Sequence, residues 1–463
     1  MCDVYAQATL VLASDGASDP TYGLFNDKSL MFDEEPFGAH VAVKFPVSSS
    51  STGGGSAAAL QVTIYVSTNN SIPGQLDHRL AGNVDGDMML VTRGWTLQEA
   101  VLAPRVLHFA SSQLVWECKK HGYVSEDGFS VYLRDQRPSY VEVKEKLRMN
   151  RQELQDTEGE PEMSKENGGG GGDLEEVAGP HRTKITADEI EVLSAWYIDL
   201  IVFRYSTRNL TYQEDRLPAI AGLADWTART LQCDYIAGMW RTGFEWALTW
   251  RLEKPEKERR LPAHHGHPLP SMDGSMRSHH APSFSWISST GQLSWDYAIS
   301  TFEPSIRICD LSVQLAGSSP FGRIHAGFDS DTRLRVQGRF ARNVVLRCWL
   351  DSTRCFLPGG VTSHLWMDYT YETEDLDDKG KGEIRVSLLE LGIAAGPPER
   401  AGGGQYWLDQ GLQRTVCVLV LEDLTRSEEE SVFVRRGTAE FQWDLPNVTK
   451  FREGLKWETA TIV

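Results

Sequence analysis

Residues 151–180 constrain this chain more than any other feature. They hold nine Asp or Glu against two Lys or Arg, and seven Gly that include the run Gly168 to Gly172. So little apolar surface cannot offset the chain entropy lost on ordering. The stretch predicts an acidic, Gly-rich, partly disordered linker over 126–183, and a fold must be built from what lies on either side.

On the N-terminal side, Asp3 to Ala6 reads as the last turn of a helix and Ala8 to Ala13 as a buried strand. Residues 48–59 (SSSSTGGGSAAA) are low in complexity. Because Gln61 to Val66 resumes strand character, they read as a flexible insertion within a module spanning 1–125. Arg93-Gly94-Trp95-Thr96-Leu97-Gln98-Glu99 opens a helix, with Thr96 as N-cap and Glu99 at N3 in a capping box, and Pro104 ends it. Trp95, just before the cap, is expected to pack on Ala100. Arg105–Phe109 and Gln113–Cys118 then read as a hairpin around residues 110–112.

Beyond the linker the pattern changes. Thr186 and Glu189 form a second capping box, and the helix it opens runs to about Tyr205 with a wide apolar face. Pro218 suits the start of another helix, to about Arg229. A third is expected over Asp234 to Trp250, closing a helical segment at 184–252. A polar loop follows at 253–280. From 281 to 463, short strands with turn signals predict a mainly antiparallel β region, for example Leu334–Val336, Val344–Leu350, Glu383–Leu389 and Thr415–Leu421. The expected class is α+β.

Charge narrows the functions. Forty-six Lys and Arg against 64 Asp and Glu leave −18. That balance repels phosphate backbones, so nucleic acid is not an expected partner. No run of 18 apolar residues occurs, so no membrane span is expected. Seven Cys without a C-x-x-C pattern fit reduced thiols and a cytoplasmic location.

The run Arg93 to Glu99, followed by Leu102 to Phe109 and Trp116-Glu117-Cys118, resembles the fungal heterokaryon-incompatibility (HET) domain. Asp3 to Leu10 resembles an earlier part of that domain. Asp215 to Leu223, Tyr235 to Trp240, Ala281 to Trp286 and Glu458 to Val463 resemble pieces of the region that follows it. The family's earlier Leu-Ser-Tyr-x-Trp-Gly-type and Trp-Ile-Asp-type strands have no counterpart here. The chain thus resembles a HET protein lacking the first half of the domain: a fragment, a misplaced gene start or a degenerate member. The resemblance implies nonself recognition after hyphal fusion, regulated cell death and protein partners. It also implies a partial α/β module similar to TIR domains, some of which hydrolyse NAD.

Glu99 is the candidate for chemistry, as a proton carrier or a ribose contact, against its role in the capping box. Trp95 would stack on a base or serve in the core, and Arg93 would meet phosphate or a neighbouring carboxylate. His264, His265, His267, His279 and His280 match no standard metal spacing. Cys348 and Cys355 lack a second ligand pair. Asp375 to Gly380 fails the calcium-loop pattern at Lys379 and Val386. No catalytic motif is complete, and no cofactor or metal is expected. The readings left are a HET-type signalling protein, a TIR-like NAD hydrolase and a non-functional remnant.

Overall fold

The structure, a computed structural model, describes residues 2–15, 17, 24, 40–47, 60–67, 90, 92–109, 114–118, 122–125, 140–148, 185–253, 256–261, 281–326, 330–349, 354–357, 361–371, 381–395, 414–425, 430–442 and 446–463. Two compact units emerge, one of 1–7, 92–103 and 137–463, the other of 8–91 and 104–136. They do not follow the linear division expected at 125. The helix of the Arg93–Glu99 run belongs with the larger unit because its start is stitched to a distant segment. Gly94 N donates to the Asn209 carbonyl at 2.8 Å, and Asn209 N donates to that of Thr92 at 2.6 Å.

In the smaller unit, a four-stranded sheet has the order Val11–Ala13, Arg105–Phe109, Leu114–Cys118, Gly122–Ser125. Its first pair is parallel and the other two are antiparallel. The expected hairpin is present, with its connection outside the described residues. The buried strand expected over Ala8–Ala13 is not. Only Val11–Ala13 is extended, and Leu10 and Leu12 are 40% and 51% exposed. Three residues at the edge of a sheet cover too little of their own apolar surface. His40–Val47 and Leu60–Ser67 pair antiparallel, so 48–59 joins two paired strands; the insertion itself lies outside the described residues.

In the larger unit, Tyr140–Arg148 is a helix within the stretch expected to be linker. Val143 and Leu147, four residues apart, are fully buried, and the Lys144 amine donates to the Ala103 carbonyl. One apolar stripe is enough to dock these two and a half turns. Residues 151–180 lie outside the described residues.

The Thr186 capping box forms as expected. Glu189 N donates to Thr186 Oγ1 at 3.2 Å, and Thr186 N donates to Glu189 Oε2 at 2.8 Å. The helix is α over Ala187–Ser194 and widens to π over Ala195–Tyr205, ending with Ser206 N on the Ile201 carbonyl at 2.8 Å. The widened stretch seats two adjacent buried rings in different aromatic groups. Trp196 meets Tyr235 and Trp240, while Tyr197 meets Trp246 and Trp295. Pro218 opens a 3₁₀ turn that passes into the helix Ala221–Leu231.

No helix spans Asp234–Trp250. Tyr235–Ile236 and Met239–Trp240 form a hairpin, and only Phe244–Ala247 is helical. Ala237 and Gly238 take φ of 48° and 91°, which matches a tight hairpin turn and interrupts any helix. The polar loop expected at 253–280 also contains a strand, Glu256–Leu261, parallel to Tyr369–Tyr371.

The C-terminal region is a nine-stranded, antiparallel-rich sheet. Its pairing returns on itself. Arg333–Trp349 pairs with Lys381–Ala395, then Arg414–Asp423, Val432–Gln442, Val361–Met367 and Arg354–Leu357, which pairs back with the first. Every pair in the cycle is antiparallel, and full closure removes edges. Alternate residues such as Val344 and Leu346, Val386 and Leu388, and Val416, Val418 and Val420 form one buried cluster. The expected short strands Leu334–Val336 and Val344–Leu350 fall on one long strand, Arg333–Trp349, with Leu350 outside the described residues. It looks divided in the sequence because a register shift falls between Ala341 and Val344, with Asn343 at φ 54°.

Candidate functional site

The Arg93–Glu99 helix runs from Gly94 to Leu102, three residues earlier than a Thr96 cap would allow. Its N-cap is Arg93, without a side-chain cap, and Thr96 sits inside the first turn donating to the Arg93 carbonyl at 2.8 Å. The capping box expected at Thr96 and Glu99 is therefore absent. Its physical reason is the Arg93–Asn209 bridge, which already supplies an acceptor to Gly94 N. Trp95, expected before the cap, is the second residue of the helix and half-buried.

Most of the run is engaged in packing. Leu97 is fully buried. A Cβ on Gly94 would lie 2.5 Å from the Leu210 side chain, so glycine permits that close approach. Thr96 Oγ1 accepts from Arg208 at 3.0 Å. The buried Gln98 side chain accepts from Gly222 N at 2.6 Å and so satisfies a donor in the first turn of Ala221–Leu231.

Glu99 has a different neighbour. Tyr5, on the short helix Cys2–Ala6, hydrogen-bonds to its carboxylate. Burial pushes the Glu99 carboxyl above its ordinary value, while Tyr5 and the Arg93 charge pull it partly back. The Tyr5 hydroxyl is raised as well, by burial first and then by Glu99. Of the run Arg93 to Glu99, only Glu99 thus combines partial burial with a titratable partner, and Arg93 is exposed beside it. The pair can hold and pass a proton.

A second cluster was not foreseen. In the smaller unit His108 lies between two carboxylates, with Nδ1 2.7 Å from Asp15 Oδ2 and Nε2 3.1 Å from Glu117 Oε2. Desolvation alone would lower the imidazole's pKa, but the hydrogen bonds and charges of the two carboxylates outweigh it and push the value up to about 10. Both ring nitrogens are occupied and all three side chains are buried, so the imidazole has no nitrogen to offer a substrate. The cluster is an ionic clamp joining two strands and the loop after Val11–Ala13. Its only sequence signal was the alternation that turns His108 and Glu117 inward with Val106 and Val115.

The segments Tyr235 to Trp240, Ala281 to Trp286 and Glu458 to Val463 meet in the larger unit. Trp286 Nε1 donates to the Gly238 carbonyl at 2.8 Å, and Ser285 Oγ to that of Ala237 at 2.5 Å. Ser283 N donates to the Val463 carbonyl at 3.1 Å. The Arg216 guanidinium lies 5.5 Å from the Trp286 ring centroid.

Among the described residues, no group of three His, Cys, Asp or Glu is placed to hold a metal, and no helix is long and apolar enough to cross a membrane. The histidines at 264–280 and the acidic run at Asp375 lie outside the described residues. Cys348 and Cys355 occupy facing positions of an antiparallel pair. Comparison with known protein families, curated proteins and solved structures finds no match to this chain.

Proposed function

We propose that this chain is a signalling and interaction protein of the HET type, acting through protein partners in the cytoplasm in nonself recognition and regulated cell death. One observation supports the reading most. Pieces that resemble the family, far apart in sequence, are joined by hydrogen bonds. Tyr5 reaches Glu99, Gln98 reaches Gly222 across 124 positions, and Ser283 reaches Val463 across 180. Chance resemblances scattered along a chain have no reason to converge. The test is inducible expression of the full chain in a filamentous fungus, with viability scored by dye exclusion. Death on induction is expected. Undiminished viability at comparable soluble accumulation counts against the role and favours the remnant reading.

A second reading rests on Glu99 and Tyr5. The parallel pairing of Val11–Ala13 with Arg105–Phe109 in the smaller unit is a feature of α/β modules. If Glu99, in the larger unit, acts as the resemblance to TIR domains implies, it meets the ribose of NAD. Purified protein should then consume NAD, and Glu99→Gln should abolish consumption with melting unchanged. No NAD loss, or loss that survives the substitution, removes this reading.

A further inference from the structure

The pairing cycle of the C-terminal sheet is narrowest where Arg333–Trp349 meets Arg354–Leu357. In register there, among the described residues, are Arg347 with Phe356 and Cys348 with Cys355. The next two seams, of Arg354–Leu357 with Val361–Met367 and of Val361–Met367 with Val432–Gln442, hold four register positions each. One of the two pairs at the narrow seam is thus cysteine on cysteine. Facing residues of an antiparallel pair have Cα atoms about 4.5 or 5.5 Å apart, and both values fall within the roughly 4.4–6.8 Å that a disulfide spans. Joining the two positions needs no backbone movement. Alternation puts Cys348 on the face of Val344 and Leu346, one step past their buried cluster. The next register positions on either side are Gly382 and Ser363, both small. No other described cysteine faces a second one across a strand pair. Cys118 faces Arg105 and Gly122, and exposed Cys309 falls in the register shift between Ile308 and Asp310. Cys417 faces Glu440 and Gly392, and burial pushes its thiol up.

We infer that Cys348 and Cys355 form a reversible oxidation site, a dithiol that hydrogen peroxide converts to a cross-strand disulfide locking this seam. One thiolate attacks a peroxide oxygen; the O–O bond breaks, and the departing hydroxide takes the thiol proton as water, leaving a sulfenic acid. The second thiolate attacks that sulfur. The S–S bond forms, the S–O bond breaks, and the hydroxide released takes the second thiol proton. Two thiols and one hydrogen peroxide give one disulfide and two waters, the sulfurs oxidised and the peroxide oxygens reduced. The loop closed, 348–355, is short, and a short loop constrains the unfolded chain less than a long one. The link is therefore one that small thiols reverse, not a permanent staple. This inference does not rest on the cell-death reading.

The test is peptide mapping of the full chain after hydrogen peroxide, with remaining thiols alkylated before trypsin. Cleavage after Arg347, Arg354 and Lys379 separates the two cysteines into peptides 348–354 and 355–379. These should appear joined, two hydrogens lighter than their sum, and should part again with dithiothreitol. Cys348→Ser should abolish the joined species and leave Cys355 open to alkylation or further oxidation. In the oxidised parent, amides of 345–348 and 354–357 should exchange on the order of ten-fold more slowly than in the reduced parent. The inference is overturned if both thiols stay alkylatable at a dose that oxidises exposed Cys309, if either joins a different cysteine instead, or if the two forms exchange alike at the seam.

Discussion

Replacing His108 by Gln tests how the smaller unit is held together. The imidazolium is 5% exposed, and its partners Asp15 and Glu117 are 4% and 2% exposed. Gln fills similar space but carries no charge, so two carboxylates are left buried around a neutral amide. Removing one partner of a buried ion pair costs about 3–5 kcal/mol. The wild-type cluster also gives the loss a pH signature. The folded pKa is about 10 against an unfolded value of 6.5. A raised pKa contributes stability that is complete below 6.5 and lost as pH climbs through 10. At about 1.4 kcal/mol per unit, the window is worth at most about 5 kcal/mol. The assay is hydrogen exchange read by mass spectrometry on peptides covering 105–118, between pH 6.5 and 9. After correction for intrinsic exchange, wild-type protection should fall by up to about ten-fold per pH unit, and His108→Gln should start low and stay flat. Protection in the variant within about three-fold of wild type, or wild-type protection that ignores pH, would refute the reasoning.

Two further outcomes follow from buried polar groups. Arg435→Met should cost about 3–5 kcal/mol in urea unfolding. It removes a fully buried guanidinium that pairs with Asp368 at 3.0 Å, donates to the Leu248 carbonyl at 2.8 Å and stacks 3.4 Å from the Trp250 ring centroid; a cost under about 1 kcal/mol would contradict that account. Gln98→Met should cost about 1–3 kcal/mol, because the Gly222 amide loses its buried acceptor, and a thermal melt indistinguishable from wild type would show that water replaces the side chain there.

Elements whose partners lie close in sequence were legible. The hairpin of Arg105–Phe109 with Leu114–Cys118 could be read from alternation, and the antiparallel β character of 281–463 from repeated strand and turn signals. The site was legible only in outline. The run Arg93–Glu99 could be read as a helix and Glu99 as a candidate for chemistry against a capping role, but Tyr5, its partner, is 94 positions away. The expected helix over Asp234–Trp250 failed because apolar residues at helical spacing also suit a tight hairpin between two buried strands. Which state forms is decided by Trp286 and Ile287, packed 3.0 Å from where a Gly238 Cβ would stand.

The amino-acid sequence by itself determined the capping box at Thr186 and Glu189, the helix start at Pro218 and the period-two strands of the C-terminal region. Each is a contest among neighbours within a few positions, where local propensity and hydrogen bonding decide. Thr96 and Glu99 have the same spacing and the same chemistry as Thr186 and Glu189, yet only the second pair caps. The tertiary structure made that choice, because Asn209 arrives from more than a hundred positions away and takes up Gly94 N before a cap is needed. It likewise set the state of His108, whose charge depends on Asp15, 93 positions distant. A hydrogen bond is short-ranged, and only the folded chain determines which groups come within its reach.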